Sequence, residues 1–294
     1  MRLHIVHETH YSYSSPVVLS QQLMHLAPRA LGWQTCHVHR LRVEPEPGEY
    51  GEGIDYFGNR TARVLIAAPH EALRVHAEST VSIAPREQRA GALAKTAWDE
   101  LRDRMRGPGQ RSCAEAAGFL YESPHVEIWR ELAGYAAASF APGRGVLDGA
   151  LDLNRRIHAD FKFDKTATSV STPLREVMKR RRGVCQDFAH LMIAALRSLG
   201  LPARYVSGYL LTEPPPGRPR LIGADASHAW VAVYCGEDAG WVELDPTNDC
   251  VVDDEHVTLG WGRDFSDVAP MRGVILGGGE QELAVRVTVT PLED

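Results

Sequence analysis

One stretch decides the fold that we predict: Arg182-Gly183-Val184-Cys185-Gln186-Asp187-Phe188-Ala189-His190-Leu191. Apolar residues recur from it at three- and four-residue steps, which is the spacing of the buried face of an α-helix. These residues are Phe188, Met192, Leu196 and Leu199. Gly200 and Pro202 then supply a stop signal. The pattern therefore predicts a helix that carries Cys185 in its first turn.

A cysteine at the start of a helix has two interpretations. The N–H groups of the first turn have no partner within the helix and the helix dipole is positive there, so a thiolate is favoured at Cys185. The same N–H groups can stabilise the oxyanion that forms when this thiolate attacks a carbonyl. The alternative is inert packing, which is the commoner role of a free cysteine.

Two predicted strands downstream supply partners for a reactive cysteine. They form an antiparallel hairpin, in which His228 opens the first strand and Asp245 closes the second. If Cys235 pairs with Gly240, Asp245 lies opposite Trp230 and one diagonal away from His228, within reach of a hydrogen bond. A register shifted by one residue would place the histidine and the aspartate on opposite faces.

Cysteine, histidine and aspartate in this order follow the triad logic of acyl transfer. The segments GVCQDFAH (183–190), DASHAW (225–230) and WVELDPTN (241–248) resemble the signature blocks of the transglutaminase-like superfamily of papain-like cysteine enzymes. The resemblance covers nearly the whole chain. It extends to His10-Tyr11-Ser12-Tyr13 with Pro16-Val17, to Asp55-Tyr56-Phe57-Gly58-Asn59 and to residues 262–270, which are similar to a bacterial subgroup with an N-terminal β domain.

The resemblance implies a role for each member of the triad. Cys185 would be the nucleophile, His228 the general base and acid, and Asp245 the residue that orients the imidazole. Asp187 is typical of the bacterial subgroup, and we interpret it as a first-turn acid favoured by the helix dipole. Phe163 stands where relatives often carry a tyrosine, so that hydroxyl is missing here.

Composition excludes several partners. The chain has 294 residues, 44% of them hydrophobic, and a net charge of −6, so we expect no binding of nucleic acid or membrane. The resemblance implies a peptide or protein as the substrate. The five cysteines are odd in number and scattered, without metal-ligand spacing, and they predict neither a disulfide framework nor a metal or other cofactor. The N-terminus alternates like a strand and resembles no signal sequence, so we expect a reducing cytoplasm. The oligomeric state stays open.

The pattern along the chain predicts an α+β protein of two domains. Residues 1–85 read as an all-β, sandwich-like N-terminal domain, and we expect the terminal strand 282–290 to complete its sheet. Residues 86–145 read as a helical connector. Residues 146–275 form the papain-like transglutaminase core, in which the nucleophile helix packs on an antiparallel sheet. The Pro-rich stretch 212–219 is expected to be an exposed loop beside the site.

The predicted function is that of a cysteine peptidase or amidase that acts through an acyl-enzyme thioester. Transfer to a lysine amine, the cross-linking reaction of a protein-glutamine gamma-glutamyltransferase, is the alternative within the family. We favour hydrolysis, because the expected compartment is intracellular and Asp253-Asp254-Glu255 reads as a solvated turn more than a calcium site. A third alternative is a non-catalytic peptide-binding module, since fold alone does not guarantee activity.

Overall fold

A computed structural model of the chain describes residues 1–86, 96–107, 113–212 and 227–292. Most of the predicted Pro-rich loop lies outside these ranges. The strands are β1 (Arg2–Met24), β2 (Gln34–Glu44), β3 (Glu49–Ile54), β4 (Arg60–Ile66), β5 (His70–Ile83), β6 (Lys162–Phe163), β7 (Arg182–Gly183), β8 (Ala203–Leu210), β9 (Ser227–Tyr234), β10 (Trp241–Asp245), β11 (Cys250–Val251), β12 (His256–Gly262), β13 (Met271–Gly277) and β14 (Gln281–Pro291). The helices are α1 (Trp98–Arg106), α2 (Ala114–Ala117), α3 (Arg130–Ala137), α4 (Val146–Asp160), α5 (Leu174–Arg180), α6 (Cys185–Ser198) and α7 (Phe265–Val268). No helix in these ranges has the length and hydropathy needed to cross a membrane.

The N-terminal β region is one sheet of seven strands, in the order β2-β5-β1-β4-β3 with β13 and β14 also paired to β1. The long strand β1 changes partners along its length. Its first half lies between β5 and β14, and its second half lies between β4 and β13. Residues from both halves pack into one apolar cluster, which contains Tyr13, Val17, Met24, Val64, Ile66, Leu73, Val75 and Ala77. The two halves of this single sheet therefore share one apolar cluster.

The terminal strand β14 pairs antiparallel with the start of β1, from Leu3 opposite Pro291 to Tyr13 opposite Gln281. The pairing expected of residues 282–290 is thus observed. The neighbouring strand β13, which ends within two residues of the predicted core range, also pairs with β1. Three glycines at 277–279 join the two strands, and all three have positive φ, a conformation that other residues rarely adopt.

The second half of the chain is built on an antiparallel sheet in the order β11-β10-β9-β8-β12, which we call the core sheet, and α6 packs against β8 and β9. This confirms the predicted α+β class, with a helix that begins at Cys185 on an antiparallel sheet beside an N-terminal β region. Residues of the predicted connector, Leu101, Leu132 and Phe140, belong to the same apolar cluster as α6. Pro173 immediately precedes α5, which begins at Leu174.

The two sheets meet through a second apolar cluster. It joins residues of the N-terminal sheet to residues on and beside β8 and β12 of the core sheet: Leu3, Ile5, Val81, Ile83, Val287 and Val289 on one side, and Tyr209, Leu211, Val257 and Leu259 on the other. His7 lies in this interface, where its Nδ1 is 2.9 Å from the Tyr209 hydroxyl and its Nε2 is 3.0 Å from the Thr9 hydroxyl. The interface therefore contains polar contacts as well as apolar packing.

Candidate active site

The nucleophile candidate is the first residue of α6. Cys185 is half-buried, and its thiol is free. The Asp187 carboxylate accepts hydrogen bonds from the Val184 N–H, at 2.8 Å, and from the Thr168 hydroxyl, at 2.6 Å. Gly183 makes room for this, because an added Cβ would lie 2.6 Å from the carboxylate. Asp187 thus fixes the backbone entering the helix, as expected of a first-turn acid.

The β9–β10 hairpin has the predicted register. The Cys235 N–H donates to the Gly240 carbonyl at 2.8 Å, and Leu244 pairs with Val231. This register places Asp245 opposite Trp230, on the same face as His228. His228 Nε2 and Asp245 Oδ2 are 2.7 Å apart, with both residues buried. Local strand pairing is therefore sufficient to assemble the histidine and carboxylate.

Cys185 completes the arrangement from the other side of the imidazole. Cys185 is close enough to His228 to affect the pKa of the imidazole, and since Nε2 is committed to Asp245, Nδ1 is the nitrogen left to face the sulfur. Burial alone would lower the pKa of His228, but the interactions with Asp245 and Cys185 outweigh it and raise the pKa to about 10. The site therefore favours a protonated imidazole beside the sulfur.

Asp245 is held by several donors at once. Its Oδ1 accepts from the Thr247 N–H at 2.8 Å, and its Oδ2 accepts from the Asn248 side chain at 2.6 Å as well as from His228. Burial would raise the pKa of Asp245, but these hydrogen bonds and the neighbouring histidines hold it well below the usual range. The carboxylate is thus ionised and fixed in orientation.

A second histidine also contacts this carboxylate, and sequence reasoning missed it. His256 opens β12, and its Nε2 lies 3.3 Å from Asp245 Oδ2. Its ring packs edge to face with Trp230, whose centroid is 5.2 Å away, and the indole N–H donates to Glu243 at 2.7 Å. Gly208 allows the indole to lie over β8, because a Cβ there would be 2.4 Å from the ring. The tryptophan therefore positions the second histidine.

These three side chains also have metal-ligand chemistry. One ligand atom from each of His228, Asp245 and His256 lies within 4.8 Å of the others. Hydrogen bonding already accounts for this convergence, because both imidazoles point Nε2 at the same carboxylate oxygen. Asn248 also donates to that oxygen, so a metal ion would have to displace these donors.

Two further residues near the nucleophile define its surroundings. Phe163 lies on β6, pairs with Gly183 of β7 and is 44% exposed. Tyr205 is buried, and burial with the negative charge of neighbouring Cys185, Asp187 and Asp264 raises the pKa of its phenol well above the usual value. The phenol therefore stays protonated beside the thiol.

Known proteins match most of this chain. Residues 3–82 match the bacterial transglutaminase-like N-terminal region, and residues 135–246 match the transglutaminase-like superfamily. An uncharacterized protein of Mycobacterium tuberculosis is 39% identical over 298 aligned positions, which cover 99% of this chain and 93% of that protein. A protein-glutamine gamma-glutamyltransferase of Pseudomonas aeruginosa is 30% identical over 160 positions, which cover 52% of this chain and 20% of that protein.

A solved structure shares the fold of the entire chain. It is the crystal structure of a candidate cysteine protease from Cytophaga hutchinsonii, and it covers 100% of this chain and 91% of its own at a TM-score of 0.78. The sequences are 22% identical, so the likeness concerns the fold.

Proposed function

This chain belongs to the transglutaminase-like superfamily, and from that premise we propose that it is a thiol-dependent acyl-transfer enzyme. Its substrates would be amide bonds of peptides or proteins, and its catalytic residues Cys185, His228 and Asp245. The observation that carries the proposal is the 2.7 Å contact between His228 Nε2 and the Asp245 carboxylate, on an imidazole whose pKa Cys185 also helps to raise.

The mechanism follows from this chain of contacts. The Cys185 thiolate attacks the amide carbonyl, and N–H groups at the start of α6 are placed to stabilise the oxyanion. The His228 imidazolium gives its proton to the leaving amine, which departs as an acyl-enzyme thioester forms on Cys185. The neutral imidazole then deprotonates the second nucleophile, which attacks the thioester and releases the thiol. Asp245 keeps the imidazole in the required tautomer throughout.

Water is the second nucleophile that we favour, which makes the protein a cysteine peptidase or amidase. All five cysteines are free thiols, in keeping with the reducing cytoplasm that we propose for it. The second candidate is transfer to an amine, as in cross-linking. It is supported by the likeness of about half of this chain to the gamma-glutamyltransferase of Pseudomonas aeruginosa. A binding module is the weaker alternative, because a protein without catalysis has no need to keep the three residues together.

The pH dependence of Cys185 alkylation by iodoacetamide tests the proposal without a known substrate. Mass spectrometry would follow modification of Cys185 and, as internal references, of the other four cysteines. We expect Cys185 to react well below the pH at which ordinary thiols ionise, near 8.5. In His228→Ala that reactivity should move up towards the ordinary thiol range. If Cys185 reacts like the other cysteines in the parent protein, the proposal of an enzyme is wrong.

The acceptor is tested separately with the acyl-enzyme. Peptide substrates with and without added primary amine would be compared, and the products weighed by mass spectrometry. Hydrolysis leaves a free carboxylate whether or not amine is present, whereas transfer incorporates the amine. Cys185→Ala serves as the control and should form neither product.

A further inference from the structure

Basic side chains are concentrated in the segment that leads into α6. Residues 162–182 contain seven lysines and arginines and two acidic residues, a net charge of +5 in a chain whose total is −6. The basic residues are Lys162, Lys165, Arg175, Lys179, Arg180, Arg181 and Arg182. Cys185 follows three positions after the last of them, so positive charge is concentrated beside the proposed nucleophile.

A helix end accounts for part of this charge. α5 ends at Arg180, and basic residues in the last turn of a helix interact favourably with its dipole. Lys162 and Lys165 need another explanation, because they come before α5, on the segment that contains β6. The basic residues therefore belong to two separate stretches of the chain.

Strand pairing brings these two stretches together next to α6. β6 and β7 are parallel, with Lys162 beside Arg182 and Phe163 beside Gly183. Adjacent strands lie about 4.8 Å apart, and two residues of chain span at most about 7 Å, so the Cα atom of Phe163 lies within about 12 Å of that of Cys185. A peptide bound at the thiol can therefore reach both stretches.

The lysines of this surface have no acidic partner in the part of the chain that the structure describes. Lys162, Lys165 and Lys179 are exposed, and no ion pair joins any of them to a described acid. Each arginine of the segment instead has an acidic partner: Arg175 with Glu127, Arg180 with Glu176, Arg181 with Asp160, and Arg182 with Asp164. The three lysines therefore leave a positive potential beside the site.

An aromatic side chain lies among these charges. Phe163 follows Lys162 directly in the sequence, and 44% of its side chain is exposed. An exposed ring beside ammonium groups suits a polypeptide, which offers apolar and acidic side chains together. Nucleic acid offers negative charge but no peptide amide for the Cys185 thiol to attack.

We propose that the basic surface formed by Lys162, Phe163, Lys165 and Lys179 selects polypeptide substrates with aspartate or glutamate beside the amide that Cys185 attacks. Complementary charges of this kind raise the rate of association and the specificity of binding. This inference rests on the proposed function, because it names the substrate class of the same site.

Iodoacetyl-capped tripeptides test the surface without a known substrate. The Cys185 thiolate displaces iodide and forms a thioether, and mass spectrometry measures the rate. One probe carries three glutamates, and the matched probe carries three glutamines, which have a similar shape without the charge. At an ionic strength of about 0.01 M we expect the acidic probe to react about tenfold faster. At about 1 M, where the screening length is about 3 Å, that preference should be lost.

Charge reversal assigns the preference to particular side chains. Lys162→Glu with Lys165→Glu should lower the ratio of the two rates by about threefold or more, while the neutral probe reacts at the parental rate. Arg2→Glu with Arg42→Glu is the matched control, because it changes the net charge equally but on exposed positions of the N-terminal sheet. It should keep the parental ratio. A ratio that the lysine variant leaves unchanged, or that the control lowers equally, overturns the proposal.

Failure of the proposed function would give a different result. At about pH 8.5 any accessible thiol reacts, so the two rates can be compared even if Cys185 has no reactivity at low pH. Loss of the low-pH reactivity contradicts the enzyme, whereas equal rates for the two probes contradict the acidic substrate. Protection of Cys185 from the neutral probe by a short oligonucleotide, but not by a peptide of ten glutamates, would assign the surface to nucleic acid and also overturn the proposal.

Discussion

Two buried histidines of this protein have opposite protonation behaviour. His7 lies in the interface between the two sheets, bonded to the hydroxyls of Tyr209 and Thr9, and burial lowers its pKa to about 4. His228 lies in the candidate active site and is about as deeply buried, yet its pKa is raised to about 10. The difference lies in the partners. Burial lowers the pKa of both histidines, but the Asp245 carboxylate and the Cys185 thiol more than offset this for His228, whereas the two hydroxyls beside His7 do not.

Burial by itself therefore favours the neutral form of a histidine, whereas an anionic neighbour keeps the imidazole protonated. The consequences for stability have opposite signs. A histidine whose pKa is lowered in the folded state stabilises the fold above its unfolded value of 6.5, and that contribution is lost as the pH falls towards 4. For His228, the contribution is present below 6.5 and is lost as the pH rises through about 10.

The largest expected effect comes from removing the anion beside His228. Asp245→Asn should convert that histidine into one that resembles His7, with its pKa below the ordinary value. We expect the rate of acyl transfer to fall about 10³- to 10⁴-fold, as for the equivalent change in other triads. The rate of Cys185 alkylation at pH 6 would measure the loss of the ion pair even without a substrate.

The matched control for Asp245→Asn is Glu243→Gln, a second buried carboxylate on the same face of β10. Glu243 accepts from Arg86 and from the Trp230 indole, and no hydrogen bond joins it to His228 among the described residues. Its replacement should leave the low-pH reactivity of Cys185 in place. Equal losses in the two variants would mean that any buried carboxylate on this strand is sufficient.

A smaller effect is expected from the interface histidine. His7→Gln keeps a polar side chain beside the Tyr209 hydroxyl but cannot titrate. Between pH 6.5 and 4 the parent protein should lose up to about 3 kcal/mol of stability through His7, at about 1.36 kcal/mol per pKa unit. Urea unfolding at several pH values should show that the free energy of unfolding falls less between pH 6.5 and 4 in the variant, with Cys185 alkylation unchanged. If the variant loses as much stability in acid as the parent protein, the assignment is wrong.

The smallest effect concerns the second histidine on the shared carboxylate. His256→Phe keeps an aromatic ring against Trp230 but removes the donor to Asp245, and we expect acyl transfer to slow about tenfold, the value of one charge-assisted hydrogen bond. His256→Gln places an amide N–H near the former Nε2 and should recover most of the rate. If the ring acts only by packing, phenylalanine would be the better replacement of the two, and thermal melting would show the same order.

The catalytic arrangement was largely predictable because its determinants are local. The apolar periodicity after Cys185 predicted α6 with this cysteine in its first turn. The hairpin pattern predicted that His228 approaches Asp245 if Cys235 pairs with Gly240, which is the register observed. Each inference needed only the repeat of one helix or the pairing of two adjacent strands. The chemical roles of the three residues stay a prediction until reactivity is measured.

The remaining features depend on contacts between distant segments, which no local pattern encodes. His256 reaches Asp245 only because β12 pairs at the far edge of the core sheet, next to β8. The alternation of β14 predicted a strand with Leu283 and Val285 on its apolar face. Both are exposed among the described residues, where Val287 and Val289 are the members of β14 that pack against β8 and β12. The proposed domain limits, 1–85, 86–145 and 146–275, likewise rest on composition alone.

The pairing of β1 with β14 affects the order in which the protein can fold during its synthesis. Leu3 is made well before its partner Pro291, with the whole core sheet between them in the sequence. At bacterial rates of translation this delay is on the order of ten seconds to a minute. During that time β1 lacks one neighbour, and the interface around Tyr209 lacks Val287 and Val289. The segment that holds Cys185 can thus fold before the N-terminal sheet gains β14.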